Sequence, residues 1–213
     1  MWKEYYPDGS LKATGNYDHG KQVGEWKYYY PNGKTEQTGR FSKSGKADGT
    51  WKWFFDNGQL FREENYRAGL KDGLSTTYNE EGEVIEEGDF LEGNEDGPWF
   101  ERIGDTYTRG AYRDGMRAGL WESFYLNRNE DKVDSICFFR GSFNDDNANG
   151  KHTWFYENGK VKSTGQYIMG RREGNWLFYQ EDGTLFLVIT YRNGAEIKYD
   201  GAKIKPPFER EEE

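Results

Sequence analysis

Few residues in this sequence could carry out acid–base or nucleophilic chemistry. His19 and His152 are its two histidines, and Cys137 is its one cysteine. Nucleophilic catalysis requires a nucleophile beside a base that a third group orients, and none of the three belongs to a recognisable pattern of that kind. His152 stands where comparable segments have tryptophan, so we expect it to fill a ring position. Cys137 lies beside two phenylalanines and is expected to be buried and inert.

Metal and cofactor sites are not predicted either. A single cysteine excludes an internal disulfide framework and a multi-thiolate metal site. Carboxylates are abundant, but the Asp-x-Asp-x-Asp-Gly spacing of a calcium loop does not occur. Glycines such as Gly20 and Gly24 are not followed by a helix with a lysine, as a phosphate-binding loop requires. The sequence therefore predicts a protein that is not an enzyme, with no cofactor and no metal.

Charge gives a sharper signal. Between Lys71 and Arg102 the chain has eleven acidic residues and no basic one, so this segment has a charge of −11. Because the whole chain has a net charge of −9, the rest of it has a net charge of +2. A field of one sign steers a partner of the opposite sign. We therefore predict a partner-binding acidic patch, although the same carboxylates could simply keep the protein soluble. The patch comprises Glu80, Glu81, Glu83, Glu86, Glu87, Asp89, Glu92, Glu95 and Asp96.

The tryptophans form a second candidate surface. In some binding proteins a row of rings holds cationic ligands or stacks on sugars, which requires the rings to be exposed. The alternative, which we favour, is that the rings are the hydrophobic layer of a sheet and pack across strands for roughly 0.2 to 1 kcal/mol per pair. This aromatic face comprises Trp26, Trp51, Trp53, Trp99, Trp121, Trp154 and Trp176.

Both sets of residues are positioned by a repeat. The phrase "EWKYYYPNGK" at 25–34 returns as "WKEYYPDGS" at 2–10, "WKWFFDNGQ" at 51–59, "HTWFYENGK" at 152–160 and "NWLFYQEDGT" at 175–184. Self-similarity at a steady period indicates an array of supersecondary units. Eight units that start near residues 1, 24, 49, 73, 97, 119, 150 and 174 predict a repeat array over 1–205. An acidic tail follows at 206–213.

Each repeat has the pattern of a β-hairpin. Alternating rings such as Trp51, Trp53 and Phe55 are typical of a half-buried strand, and Asn-Gly or Asp-Gly pairs, which accept positive φ, mark the turn. A glycine usually stands two residues before the aromatic residue of the second strand, and we predict that a neighbouring ring covers it. The predicted fold is all-β: an elongated, single-layer antiparallel β-meander.

The sixth repeat is seven residues longer than the standard one. Counting back from Gly141 places the whole insertion in an enlarged turn, "LNRNEDKVDS" at 126–135, because loops tolerate changes of length that the register of a sheet does not. We predict a second partner-binding element in this loop. Its candidate residues are Arg128, Asn129, Glu130, Asp131 and Lys132.

Composition agrees with an unusual core. Leu, Ile, Val and Phe make up only 36 of 213 residues, which together with the charge is typical of disorder. The 38 aromatic residues supply the missing apolar area, because each ring can bury roughly 150 to 250 Å². No run of about 18 apolar residues occurs, so no membrane insertion is expected.

The motifs resemble a known family. Units of the form G-x-W-x-F-Y-x-x-N-G-K followed by G-x-Y-x-x-G-x-x-x-G resemble the variant MORN repeats of bacteria, from Trp2 to about Gly194. The resemblance implies a long, twisted, single-layer sheet that binds proteins and is not an enzyme. Bacterial chains of this kind are often labelled as the antitoxin half of a toxin–antitoxin pair, so an antitoxin or immunity role is implied by analogy with the fold.

We therefore expect a non-catalytic protein-binding scaffold whose partner is a basic, toxin-like protein. The alternative is an aromatic repeat protein that binds glycans or cell walls. Net acidity argues against nucleic acid and anionic lipid as ligands, and exposed edge strands leave self-association open. An antitoxin would be cytoplasmic. If an N-terminal signal has been removed, the protein would instead be periplasmic or surface-exposed.

Overall fold

The structure is a computed structural model that describes residues 1–129, 132–200 and 202–203, without the side chains of 127–134 and 202–203. Of the predicted loop residues, Glu130 and Asp131 therefore lie outside the described residues, as does the predicted acidic tail at 206–213. The chain divides into two compact units, Met1–Arg102 and Ile103–Glu213. The first contains β1 to β9 apart from Ile103, the last residue of β9, and the second contains β10 to β18. In the described residues every element is a strand, which confirms the predicted all-β class.

Consecutive strands in each unit are antiparallel neighbours, so each unit is a meander. The strands of the first unit are β1 (Trp2–Tyr5), β2 (Leu11–Asp18), β3 (Lys21–Tyr29), β4 (Thr35–Phe41), β5 (Gly49–Phe54), β6 (Leu60–Arg67), β7 (Leu70–Tyr78), β8 (Val84–Leu91) and β9 (Asn94–Ile103). Those of the second are β10 (Thr106–Arg113), β11 (Met116–Asn129), β12 (Lys132–Asn144), β13 (Asn147–Phe155), β14 (Val161–Ile168), β15 (Arg171–Tyr179), β16 (Leu185–Arg192), β17 (Ala195–Tyr199) and β18 (Ala202–Lys203).

Two kinds of turn alternate. Between most repeats the turn has two residues, such as His19 and Gly20 with φ of 47° and 77°, as a twisted hairpin requires. Between the second and third repeats a longer turn at 42–46 takes its place. Within repeats only the glycine of the Asn-Gly pair has positive φ, for example Gly33 at 80°. Asn32 instead uses its side chain, whose Oδ1 accepts a hydrogen bond from the Lys34 amide at 2.9 Å. Of the pair that was predicted to accept positive φ, only the glycine adopts it.

The core is a layer of rings lying on glycines. A Cβ added to Gly39 would lie 2.0 Å from the Trp51 ring, so no other residue fits there unless the ring moves. This confirms the prediction that rings cover the strand glycines. The covered pairs are Gly15–Trp26, Gly39–Trp51, Gly88–Trp99, Gly110–Trp121, Gly141–His152 and Gly165–Trp176. We call the side of each sheet that bears these rings the ring face and the opposite side the reverse face.

The insertion in the sixth repeat differs from the prediction. β11 and β12 remain paired as far as Asn129 and Lys132, so the added residues extend the hairpin itself. The prediction of an enlarged turn at 126–135 was wrong. A hairpin can absorb added residues by lengthening both of its strands together, because pairing across the two strands is then maintained.

Candidate functional site

His152 occupies a tryptophan position. The indole nitrogens of Trp26, Trp51, Trp121 and Trp176 each donate to the carbonyl of the residue that follows the covered glycine, at 3.1 to 3.2 Å. His152 Nε2 lies 2.8 Å from the equivalent carbonyl oxygen, that of Ser142. Because a carbonyl only accepts, Nε2 carries the proton. Burial lowers the pKa of His152 from 6.5, against the opposing effect of the Ser142 hydrogen bond. The predicted ring position is confirmed.

The other two candidate chemical groups lie in separate and different surroundings. His19 is in an exposed turn, with Nδ1 2.7 Å from Asp18. Cys137 is half-buried, and its thiol contacts the Phe139 carbonyl oxygen at 3.3 Å. Burial raises the pKa of Cys137, which keeps the thiol protonated and poorly nucleophilic. No group of three or more His, Cys, Asp or Glu side chains in the described part of the chain could hold a metal ion.

The tryptophan row is the core of the protein. Five of the seven candidate rings, Trp26, Trp51, Trp99, Trp121 and Trp176, are between 1% and 8% exposed. Trp53 and Trp154 are half-buried beside them. The aromatic residues of the second strands pack edge-on against these rings, for example Tyr167 against Trp176 with centroids 5.1 Å apart. A sugar would need exposed faces for stacking, and these five rings have none.

One position in the first unit exchanges the ring and its glycine for polar residues. Glu64 stands where other repeats have the covered glycine, and Ser75 stands where they have the ring. Glu64 is 3% exposed, with Lys71 Nζ at 2.8 Å and Arg62 at 3.7 Å from its carboxylate. Tyr66 donates its hydroxyl to the same carboxylate. The sequence analysis missed Glu64, although its place two residues before Tyr66 was a usable signal.

The predicted acidic patch is divided among several surfaces. Glu80 and Glu81 lie in the turn after β7, and Glu92 lies in the turn after β8, at the other end of that strand. Glu95 and Asp96 lie on β9, next to the latter turn. Glu83 is paired with Arg102 at 2.9 Å. The structure therefore does not bring these residues together into one cluster.

The acidic residues on β8 alternate between the two faces. Glu86 shares the ring face with Gly88 and Phe90, whereas Glu87 and Asp89 are on the reverse face. On the reverse face Thr76 donates to Glu87 at 3.3 Å. The division follows from the two-residue period of a strand.

On the ring face two glutamates are paired across neighbouring strands. Glu86 lies directly opposite Glu101 on β9. In the described residues neither has an ion pair with Lys or Arg. Like charges directly opposite one another destabilise a sheet. Glu101, which was counted among the eleven acidic residues but left out of the predicted patch, thus belongs to the candidate site.

The extended hairpin of the sixth repeat lies beside a pocket in the second unit. The pocket has a volume of about 400 Å³, and its lining includes Tyr125, Phe155, Glu157 and Asn158. The predicted loop residues Arg128, Asn129 and Lys132 continue the two strands, and nothing is described of their side chains. None of the residues that line this pocket was predicted, because they become neighbours only when the hairpins stack.

No helix among the described residues has the length and apolar character needed to cross a membrane.

Comparison with known proteins identifies the repeat. Residues 1–19, 22–43, 47–68, 148–169 and 172–193 match the sequence model described as MORN repeat variant. Together these segments cover half of the chain, and they coincide with repeats one, two, three, seven and eight. The unmatched segment between them includes the acidic fourth repeat and the extended sixth. No curated protein matches the chain.

Proposed function

The chain belongs to the MORN repeat variant family, whose repeats are non-catalytic scaffolds for binding, and on this premise we propose that it binds a basic protein through the acidic ring face of β8 and β9. The aromatic layer of the fold is used for its own cohesion, so a ligand must be held by groups that this layer does not use. The fourth repeat offers Glu86, which is paired on this face with Thr77, one of the two residues that stand at the ring positions there.

The opposition of Glu86 and Glu101 is the observation that carries the proposal. Holding two carboxylates opposite each other without a cation costs the free protein stability. A Lys or Arg side chain of a partner placed between them would relieve that repulsion and form charge-assisted hydrogen bonds. Departures from local folding rules tend to occur at functional sites. Binding of this kind weakens as salt screens the charges.

We propose that this scaffold acts as an antitoxin or immunity protein of bacterial origin. A toxin that acts on nucleic acid needs a surface rich in Lys and Arg to bind phosphates. An acidic sheet would cover such a surface in place of the nucleic acid. The partner would then be a toxin whose substrate site is basic.

The proposal is tested by removing charge from one face at a time. Glu86→Gln/Glu101→Gln neutralises the ring-face pair, and Glu87→Gln/Asp89→Asn removes the same charge from the reverse face of β8. Partners captured from a lysate of the source organism would be identified by mass spectrometry, and their affinity measured at low and high salt. We expect one basic protein, bound about tenfold or more weakly by the ring-face variant, equivalent to roughly 1.4 kcal/mol.

Two outcomes would contradict the proposal. If the ring-face variant binds the partner as well as the wild type does, the carboxylates of the fourth repeat are only a solvated surface. If the reverse-face variant alone loses affinity, the partner binds the opposite side of the sheet. The ring-face variant is also expected to unfold at a higher temperature than the wild type, because the repulsion is removed, so lost binding would not reflect lost folding.

A further inference from the structure

Neighbouring repeats are joined by hydrogen bonds from one turn to the next. In the second repeat Asn32 donates its side-chain amide to the Asp56 carbonyl oxygen at 3.0 Å, and Lys34 donates its ammonium group to that of Asn57 at 2.8 Å. The seventh repeat does the same to the eighth. Asn158 donates to the Glu181 carbonyl at 2.9 Å, and Lys160 donates to that of Asp182 at 2.7 Å. An Asn-Gly-Lys turn therefore supplies an amide and an ammonium group to the turn that follows it.

The turn of the seventh repeat receives no such donors. The insertion in the sixth repeat replaces the Pro-Asn-Gly segment, and Ile136, paired with Tyr125, stands where a lysine would be. The equivalent acceptors are the carbonyl oxygens of Glu157 and Asn158. In the described residues no side chain donates to either of them. Two backbone acceptors that are satisfied in the turns of the third and eighth repeats thus receive no side-chain donor from the described residues here.

The pocket beside the extended hairpin lies at these two acceptors. It has a volume of about 400 Å³, and Glu157 and Asn158 both line it. The lining includes two acidic residues, Glu157 and Glu181, and one lysine, Lys162. Tyr125 is 40% exposed and forms one wall, and in the described part of the chain its hydroxyl has no hydrogen-bond partner. The lining is therefore rich in acceptors and aromatic surface, which suits a cation with N–H groups.

We propose that this pocket, between the extended hairpin β11–β12 and the turn of the seventh repeat, binds a lysine-bearing tight turn of a partner protein. The lysine ammonium group lies against the Asn158 carbonyl oxygen and the Glu181 carboxylate, beside the Tyr125 ring. A side-chain or backbone N–H of the same turn donates to the Glu157 carbonyl oxygen. The site is argued from this geometry alone, and only the identification of the occupant with the basic partner rests on the proposed function.

The chain itself supplies a probe. The peptide acetyl-Tyr-Pro-Asn-Gly-Lys-amide has the sequence of residues 30–34, the turn that donates to the third repeat. Titration of the full-length protein with this peptide would be followed by ¹⁵N NMR. We expect shifts of the amides of Tyr125, Phe155, Glu157 and Asn158 and a Kd on the order of 1 mM. The same peptide with norleucine in place of lysine should bind about tenfold more weakly.

Two variants test whether the pocket is the site. In the first, Pro-Asn-Gly-Lys replaces residues 126–136, so the chain's own turn fills the two acceptors and peptide binding should be lost. The second, Glu157→Gln/Glu181→Gln, should weaken binding about tenfold. It changes only two side chains, so the test still stands if the first variant does not fold. Glu25→Gln on β3, outside the pocket, is the control and should bind as the wild type does.

Several outcomes would overturn the proposal. Equal affinity for the lysine and norleucine peptides would do so, as would undiminished binding by the Glu157→Gln/Glu181→Gln variant. If the same amides shift with protein concentration in the absence of peptide, the occupant is a second copy of this chain and not a partner. The peptide experiment needs no partner. A negative result there would refute the pocket proposal, whereas the ring-face proposal is refuted only if the ring-face variant keeps its affinity for the partner.

Discussion

At the scale of single residues, the contact between a ring and a bare glycine backbone stabilises the sheet. Trp176 is 1% exposed in a fold with only one sheet layer per unit, because it lies flat on Gly165 and is flanked by Tyr167 and Tyr191. Its indole nitrogen donates to the Gln166 carbonyl oxygen at 3.2 Å, so burial leaves no polar atom unpaired. The same two contacts recur at His152, where an imidazole replaces the indole.

Gly165→Ala should be strongly destabilising. Its Cβ would lie 2.3 Å from Trp176, and the surrounding rings prevent the indole from moving away. We expect a loss of about 1 to 3 kcal/mol in the free energy of unfolding, as for other overpacked cores. Urea unfolding would measure the loss, and the indole resonance of Trp176 should shift.

Gly159→Ala, in the turn of the same repeat, is the matched control. Its Cβ would meet nothing within 4 Å, and only its φ of +78° opposes the change. We expect a cost of roughly 1 kcal/mol and an unchanged Trp176 resonance. Similar indole shifts in the two variants would mean that the ring does not depend on a bare backbone at Gly165.

His152 should make stability depend on pH. Burial lowers its pKa in the folded protein from 6.5, so the unfolded chain binds a proton more readily. The contribution of the neutral imidazole is complete above pH 6.5 and is lost as the pH falls through the lowered value. His152→Phe should therefore have a flatter profile of unfolding free energy against pH below 6.5. At pH 8 the substitution should cost about 1 kcal/mol, because it removes the hydrogen bond to Ser142.

Thermal unfolding measured from pH 8 down to pH 5 would reveal this difference. His19→Gln serves as the control, because that side chain is exposed in a turn and packs against no ring. It should keep the wild-type profile. If His152→Phe also kept the wild-type slope, the pH dependence would arise elsewhere in the protein.

At the scale of secondary-structure elements, strand register decides which residues meet. Glu64 and Ser75 are both departures from the repeat, and the pairing of β6 with β7 places them opposite each other. The space that a ring would occupy is taken by a carboxylate with Lys71, Arg62 and Tyr66. Burial, together with the hydrogen bond to Glu64, raises the pKa of Tyr66, so the hydroxyl remains a donor.

Restoring the ring and the glycine at this pair should show strong coupling. Ser75→Trp alone should destabilise the protein, because the indole would collide with the buried Glu64 side chain. Glu64→Gly alone should also destabilise it, since it leaves a gap. The double variant should regain the ring–glycine contact, with a favourable coupling of about 0.5 to 3 kcal/mol in a double-mutant cycle. Additive effects would show that the two positions are independent.

At the scale of the whole molecule, contacts run mainly between consecutive strands within each compact unit. The stability of such an array is approximately a sum of repeat and neighbour terms. Gly39→Ala, which would place a Cβ 2.0 Å from Trp51, should therefore have a local effect. We expect faster hydrogen exchange in β3 to β6 and unchanged exchange in β11 to β14, measured by mass spectrometry. A uniform increase along the chain would indicate a single cooperative unit instead.

The sequence by itself determined the hairpin repeat, the antiparallel meander, the covered glycines and the ring position of His152. All of these follow from short-range periods and from one contact that every repeat makes with its neighbour. The sequence predicted that His152 fills a ring position and that neighbouring rings cover glycines such as Gly141, and the structure pairs these two residues. Such features are local, and each repeat gives independent support for them.

Tertiary structure alone decided how the candidate sites are arranged. The sequence grouped nine acidic residues by their proximity along the chain, but the pleat of β8 separates Glu86 from Glu87, and register brings Glu86 to Glu101. It placed the insertion of the sixth repeat in a loop, because nothing local distinguishes an extended hairpin from a long turn. The open acceptors at Glu157 and Asn158 depend on what the preceding turn donates, so they exist only once the two repeats are packed together.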